Sequence, residues 1–328
     1  MNNDLVTVKP IAKIKGFDSD KISLITVTKD NVQIFHRINR LLSTRFYNDL
    51  SENNKIIIKC ITNGYRNILE GKHLKNDQYV LSGHELIEIE NIHDWEVFRY
   101  LIYRYKYNIY PKLKIIDDHP PSVQIEVSSV CNFRCVFCYQ ADKTFSKKNS
   151  GFMGYMDFDL FKTIIDELEG NVESITLASR GEPTLHKSLD KMIKYMNGKF
   201  LATKINTNAY LMDEKMSHTI LSTDLQTLVF SADAAVEPLY SRLRVNGNLD
   251  RVVRNVEMFY NIKEKYYPSS RLITRVSGVR YGNNQNIEEM NSFWGDYVDQ
   301  VAFVDYNPWE NAYDADKINK EIIVRNAK

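Results

Sequence analysis

What most limits the fold of this chain is a regular alternation that begins after Asp117-Asp118-His119-Pro120-Pro121. Paired prolines beside charges break periodic structure. Beyond them, apolar strand-like runs fall at 122–128, 174–179, 200–206, 225–231, 272–277 and 301–306. Helix-like stretches separate them. Leu160, Phe161, Ile164, Ile165 and Leu168 share one helical face between a candidate N-cap, Asp157, and a stop at Gly170. Leu189, Met192, Ile193 and Met196 repeat the pattern before Gly198, and further helices fit 213–221, 250–259 and the region around 287–293. Such alternation implies βαβ units and a parallel sheet. A closed eight-fold barrel needs about 250 residues, more than the segment 120–307 supplies. The expected fold is therefore α/β, a partial, open (βα)6 TIM-like barrel. Periodicity does not determine strand order, so a doubly wound sheet stays open as the alternative.

Residues 1–118 mix strand-like runs, ISLITV and KIIIKCI, with helical ones, and read as a small N-terminal α+β region of unassigned role. The core is expected over 119–310 and a C-terminal tail over 311–328. Forty-three Lys and Arg balance 42 Asp and Glu, for a net charge of +1. That balance gives no support to nucleic acid or an anionic membrane as a partner, and so none to an RNA-modifying role. No uncharged apolar run is long enough to span a bilayer, and the opening MNNDLVTVKPIAKIKGF lacks the apolar stretch of a secretory signal. Four cysteines in 328 residues, three of them clustered, do not make a secreted disulfide scaffold. A reducing cytoplasm is expected, where clustered thiols read first as metal ligands.

Those three thiols lie in CNFRCVFCYQ, at Cys131, Cys135 and Cys138, directly after the first strand. Sites in parallel α/β architectures assemble at this edge of the sheet. A structural zinc wants four protein ligands; the candidates for a fourth are His119 and Cys60, and Cys60, inside KIIIKCI, reads better as a small buried residue. Thiolates are also the ligands of iron–sulfur clusters. Three of them on a cubane leave one iron free to take a substrate or cofactor.

The C-x3-C-x2-C loop, with Phe137 before its third cysteine, resembles the signature loop of the radical S-adenosylmethionine (radical SAM) enzymes. The resemblance covers about 122–306. It implies that Cys131, Cys135 and Cys138 ligate one [4Fe–4S] cluster, whose open iron chelates S-adenosylmethionine. Reductive cleavage then releases a 5′-deoxyadenosyl radical that abstracts hydrogen from a substrate, with a reductant such as flavodoxin or ferredoxin as partner. Arg180-Gly181-Glu182-Pro183 resembles the family's Gly-Gly-Glu-Pro, with Arg180 replacing the first Gly, and implies cofactor contacts from Gly181, Glu182 and Pro183. Thr207-Asn208-Ala209 resembles Thr-Asn-Gly, and Asn206 and Asn208 are candidate contacts or else turn residues. By the same likeness Ser231 and Arg244 contact the cofactor's ribose and carboxylate; Arg242 could exchange with Arg244, and Asp233 could cap a turn.

The segments RGEPTL and SADAAVEPLYSRLRVNGN most resemble the SPASM-type subgroup, whose cysteine-rich extension holds further clusters. No cysteine follows Cys138 in these 328 residues, so cysteine-held auxiliary clusters are not expected within them. The subgroup implies a peptide, sugar or other small metabolite as substrate. A reading from another class is a non-catalytic binding module stabilised by zinc or an iron–sulfur cluster. Outside the motifs, Arg275 sits within the apolar run LITRVSG, facing either the barrel interior or the surface. Tyr306 ends the last strand as a candidate substrate-side residue. Tyr100, Tyr103, Tyr107 and Tyr110 in FRYLIYRYKYNIY lie at helical spacing, as expected of an amphipathic helix packed on the barrel, with base or sugar stacking as the alternative.

Overall fold

The computed structural model describes residues 14–18 and 28–306, apart from 148 and 283. The run ISLITV and the tail at 311–328 lie outside the described residues. Strand β1 (Ile14–Asp18) precedes five helices: α1 (Lys29–Leu41), α2 (Arg45–Asn48), α3 (Glu52–Leu69), α4 (Gly83–Glu90) and α5 (Val97–Leu113). After the Pro120-Pro121 break come β2 (Ser122–Ile125), α6 (Lys143–Ser146), α7 (Phe158–Leu168), β3 (Ser174–Leu177), α8 (Leu189–Met196) and β4 (Ala202–Thr207). The chain continues through α9 (Glu214–Leu221), β5 (Thr227–Ser231), α10 (Leu239–Leu243), α11 (Leu249–Tyr266), β6 (Ile273–Arg280), α12 (Ile287–Trp294) and β7 (Gln300–Asp305).

All the strands are parallel, and neighbours run in chain order from β2 to β7 with no reversal. A doubly wound sheet reverses its strand order at a switch point, so this sheet is the open partial barrel. The six strands read from the sequence are present. A seventh, β1, is added against β7; KIKGF carries neither an apolar run nor a turn signal to reveal it.

Side chains alternate across the sheet, and the two faces differ. Ile125, Leu177, Ile205, Leu228, Phe230 and Val276 face α7, α8, α9 and α11 and form the main core with Phe161, Met192 and Phe259. Asp157 caps α7 by accepting from the Asp159 and Leu160 amides, and Gly170 leaves it at φ +79°.

A second apolar cluster lies in the helical layer, α1 to α5, and reaches the barrel at Leu201. Here the strand-like reading of KIIIKCI is overturned. The run lies inside α3, where Ile57, Ile58, Ile61, Tyr65 and Ile68 fall on one buried face. Four β-branched residues imitate a strand locally, but the apolar positions continue at helical spacing and Ser51 caps the start. The tyrosine-rich run is α5, with Tyr100 and Tyr103 buried and Tyr107 half exposed. This layer covers the ends where the strands begin, leaving the other ends to the loops. Among the described residues no helix is long and apolar enough to cross a membrane.

Candidate functional site

The loops after β2, β3, β4 and β5 meet at the C-terminal rim of the sheet. The cysteine loop is pinned from two sides. Val136 N donates to Leu243 O (3.0 Å) and Arg134 N to Val245 O (2.9 Å), tying it to the end of α10. Gln140 donates through Nε2 to Ser129 O (2.7 Å) and Arg180 O (2.8 Å), tying it to the loop after β3. Glu182 N donates to Val130 O at 2.8 Å. Gly181 sits at this crossing, where an added Cβ would lie 2.0 Å from Ser128 O and 2.7 Å from Val130 O. No side chain fits there. Arg180, which stands where the family motif has glycine, turns away and grips Glu126 through Nε (3.0 Å) and Nη2 (2.6 Å).

Each cysteine sulfur has a donor or cation beside it. Phe133 N donates to Cys131 Sγ at 3.4 Å, Gln140 N to Cys138 Sγ at 3.5 Å, and Arg244 Nη1 lies 3.9 Å from Cys135 Sγ. Burial pushes the free thiols up to about 11 for Cys131 and about 12 for Cys135 and Cys138. Thiolate ligands at this loop would therefore have to be held by metal, and loading would release their protons. Among the described residues no three His, Cys, Asp or Glu side chains gather around a single-ion position; thiolates on a four-iron cluster bind separate irons.

The two fourth-ligand candidates for zinc lie elsewhere. His119 is exposed before the start of β2, and Cys60 is half-buried in α3, with Asp77 3.8 Å from its sulfur. The prediction of a buried Cys60 thus holds only in part, because its helix turns it to the edge of the cluster.

Glu182 is buried and fully engaged. Its carboxylate accepts from Thr184 N and Oγ1, from Thr207 Oγ1 (2.6 Å) and from Asn208 N (2.7 Å). Burial, outweighing these donors, raises its pKa above the ordinary value. Pro183 opens the short turn that Glu182 caps. Asn208 donates to Asn132 Oδ1 at 2.8 Å, while Ala209, where the family motif has glycine, adopts φ +59°. Asn132 Nδ2 and Asn206 Oδ1 are buried with no hydrogen-bond partner among the described residues.

Of the two arginines weighed, Arg244 is buried at the site and Arg242 is exposed. Arg244 Nε lies 2.5 Å from the buried Asp233 Oδ2, and its guanidinium sits 5.9 Å above the Phe137 ring. Burial opposes its charge, but Asp233 and Cys135 outweigh burial and raise its pKa. Asp233 also accepts from Val279 N, so it does more than cap a turn. Ser231 ends β5 in register with Ser277. Phe137 leads outward through Tyr281 (5.8 Å) to Tyr306 (4.8 Å), an aromatic chain from the cysteine loop to the last strand. Asn132, Gln140 and Glu126 have no signature in sequence; only their neighbours across the rim reveal them.

The donor set fits a three-thiolate cluster with a polar ligand beside it: three sulfurs on one loop, with Cys135 buried and Cys131 and Cys138 partly so, a neighbouring cation, and buried amide groups still lacking partners. Comparison with known proteins agrees. Residues 125–290, just over half the chain, match the Radical SAM superfamily. Fe-coproporphyrin III synthase of Methanosarcina barkeri is 27% identical over 183 residues, 54% of this chain and 41% of that protein. GTP 3′,8-cyclase of Clostridium botulinum is 24% identical over 200 residues, 59% and 60% of the two chains. The chain thus spans about two-fifths to three-fifths of the length of these relatives. Among solved structures, Streptococcus suis SuiB bound to S-adenosylmethionine aligns over 74% of this chain and 57% of that one, with 18% identity and a TM-score of 0.49. The chain belongs to the radical SAM superfamily, whose enzymes carry out radical chemistry with a [4Fe–4S] cluster and S-adenosylmethionine.

Proposed function

We propose that this chain is the catalytic core of a radical SAM enzyme acting on a substrate yet to be identified. The observation that carries the reading is the cysteine loop, with three thiols, Cys135 buried and Cys131 and Cys138 partly so, clasped between the loops after β3 and β5 and a donor or cation beside each sulfur. Cys131, Cys135 and Cys138 would hold the cluster. Phe137, Gly181, Glu182, Pro183, Asn206, Asn208, Ser231 and Arg244 would surround the cofactor. When bound, cluster and cofactor supply the 5′-deoxyadenosyl radical that removes hydrogen from the substrate.

The chain's own residues do the positioning. Glu182 couples the loop after β3 to Thr207 and Asn208 after β4. Gly181 permits that loop to close on the cysteine loop, and Asp233 aims Arg244 at Cys135. The division into 1–118, a core at 119–310 and a tail at 311–328 belongs to this reading, as do a cytoplasmic setting and a flavodoxin or ferredoxin reductant. The two relatives' names, a porphyrin synthase and a GTP cyclase, differ in substrate, so the substrate class has to come from this chain's residues.

Anaerobically prepared protein should be brown, carry about four irons per chain, and form 5′-deoxyadenosine when given reductant and S-adenosylmethionine. Cys138→Ala should lose both iron and cleavage. Colourless protein that takes up a single zinc, with Glu182→Ala folded and metal-binding as before, would instead favour the metal-stabilised binding module.

A further inference from the structure

Inward positions of a parallel barrel are ordinarily packed with Val, Ile and Leu. Here they are polar. Lys204 lies in register with Thr176 and Thr227; one row higher, Asn206, Arg275 and Gln300 line up across β4 to β7, with Val229 between. The helical layer closes this floor over a cavity of about 580 Å³, into which Lys204, Arg275, Arg104, Lys112, Glu85 and Glu88 contribute. Four cations against two carboxylates leave two positive charges, with burial holding His84 towards its neutral form.

The acidic groups are already committed. Glu85 pairs with Arg104, and Glu88 accepts from Tyr100 and lies 3.9 Å from Arg275 Nη2. Lys204 has no hydrogen-bond or ion-pair partner among the described residues, and burial, reinforced by Arg275, lowers its pKa. A half-buried ammonium with no partner of its own is less stable than one in open water. One row higher, Arg275 Nε donates to Gln300 Oε1 at 2.8 Å, which fixes the guanidinium against the barrel wall. Lys204 and Arg275 line the cavity together with the hydroxyls of Thr176 and Thr227, and two cations and two hydroxyl donors facing one space suit an anion.

We propose, resting on the radical SAM reading, that this chamber seats the substrate, which is a small molecule with a dianionic head group, a phosphate monoester or a dicarboxylate. The head group lies against Lys204 and Arg275, and the body extends from there up the barrel towards Ser231. From Thr227, level with Lys204, to Ser231 is four residues, about 13 Å at 3.3 Å per residue. That span fits a small metabolite better than a peptide, because α5 closes the floor.

The test uses the reconstituted holoenzyme, titrated with inorganic phosphate, succinate and the neutral succinamide, and read by calorimetry and by Tm. Saturable binding of phosphate or succinate but not succinamide is expected, and the preferred anion identifies the head group. Lys204→Met should raise the Tm of the ligand-free protein by a few degrees and weaken the anion at least tenfold. Lys204→Arg should restore binding. Absence of binding by either anion up to about 20 mM, or equal binding by Lys204→Met, overturns the proposal. Cleavage of S-adenosylmethionine by the unsubstituted protein reports separately on the underlying reading, since anion binding is measured without turnover.

Discussion

Two glycines show how differently the same residue can matter. A methyl group on Gly181 meets backbone carbonyls of the cysteine loop, which cannot swing aside as a side chain would. Gly181→Ala should cost about 1–3 kcal/mol through overpacking and lower the iron retained per chain, both measurable by Tm and iron assay. At Gly83, which starts α4, a methyl group would meet nothing within 4 Å, and the backbone φ is one that any residue adopts. Gly83→Ala should be neutral or stabilising by about 0.5 kcal/mol, from helix propensity. Ala209 lies between these cases. It occupies a left-handed conformation at φ +59° that costs an L-residue roughly 1–2 kcal/mol, and its burial in the main core offsets part of that cost.

At the level of elements, the site depends on α10 and the turn that follows it. That segment accepts two amides of the cysteine loop and carries Arg244. Asp233, just past the end of β5, neutralises Arg244 and also holds the end of β6 through Val279 N. Asp233→Asn would leave Arg244 as a buried charge without a counter-ion, a loss of about 3–5 kcal/mol. Chemical denaturation should show that drop. In the same variant the environment of Cys135 should change, visible as a shifted cluster absorption spectrum or reduction potential. A purely structural role for the pair would leave the spectrum untouched.

Across the whole molecule, the barrel has a working rim and a covered floor. The helical layer is held partly by a buried polar centre at Glu85, which accepts from Tyr79 OH, Ser82 N and Oγ, and Arg104. Burial alone would raise the Glu85 pKa, but Arg104 and the donors outweigh it, and the net shift is downward. A depressed carboxylate contributes stability that is complete above its unfolded value, about 4.3, and is lost as the pH falls through the folded value. Acid titration should therefore loosen the helical layer below about pH 4, detectable as amide exchange in α4 and α5 ahead of the strands. Glu85→Gln should be less stable by about 3–5 kcal/mol at neutral pH and show a flatter acid limb.

The strand-and-helix rhythm after Pro121, the cysteine spacing, and the order of RGEP, TNA and SAD were legible from sequence because each is a local pattern. Period-two and helical runs report which face is buried, and three thiols within one loop need no partner from elsewhere to be seen together. KIIIKCI misled for the same reason: four β-branched residues look extended until α1 and α5 supply the other walls of a helix. Sequence left Arg242 and Arg244 interchangeable and Arg275 undirected. Tertiary structure buries Arg244 against Asp233, leaves Arg242 exposed, and sets Arg275 in register with Gln300 on the cavity wall. It alone revealed β1 on the sheet and the charged chamber beneath the barrel. β1 pairs with β7 and the chamber sets Glu88 beside Arg275 and Arg104 in one space with Lys204, residues far apart in the chain; only packing brings such residues together, because nothing in the local chain encodes what will cover the floor of a barrel.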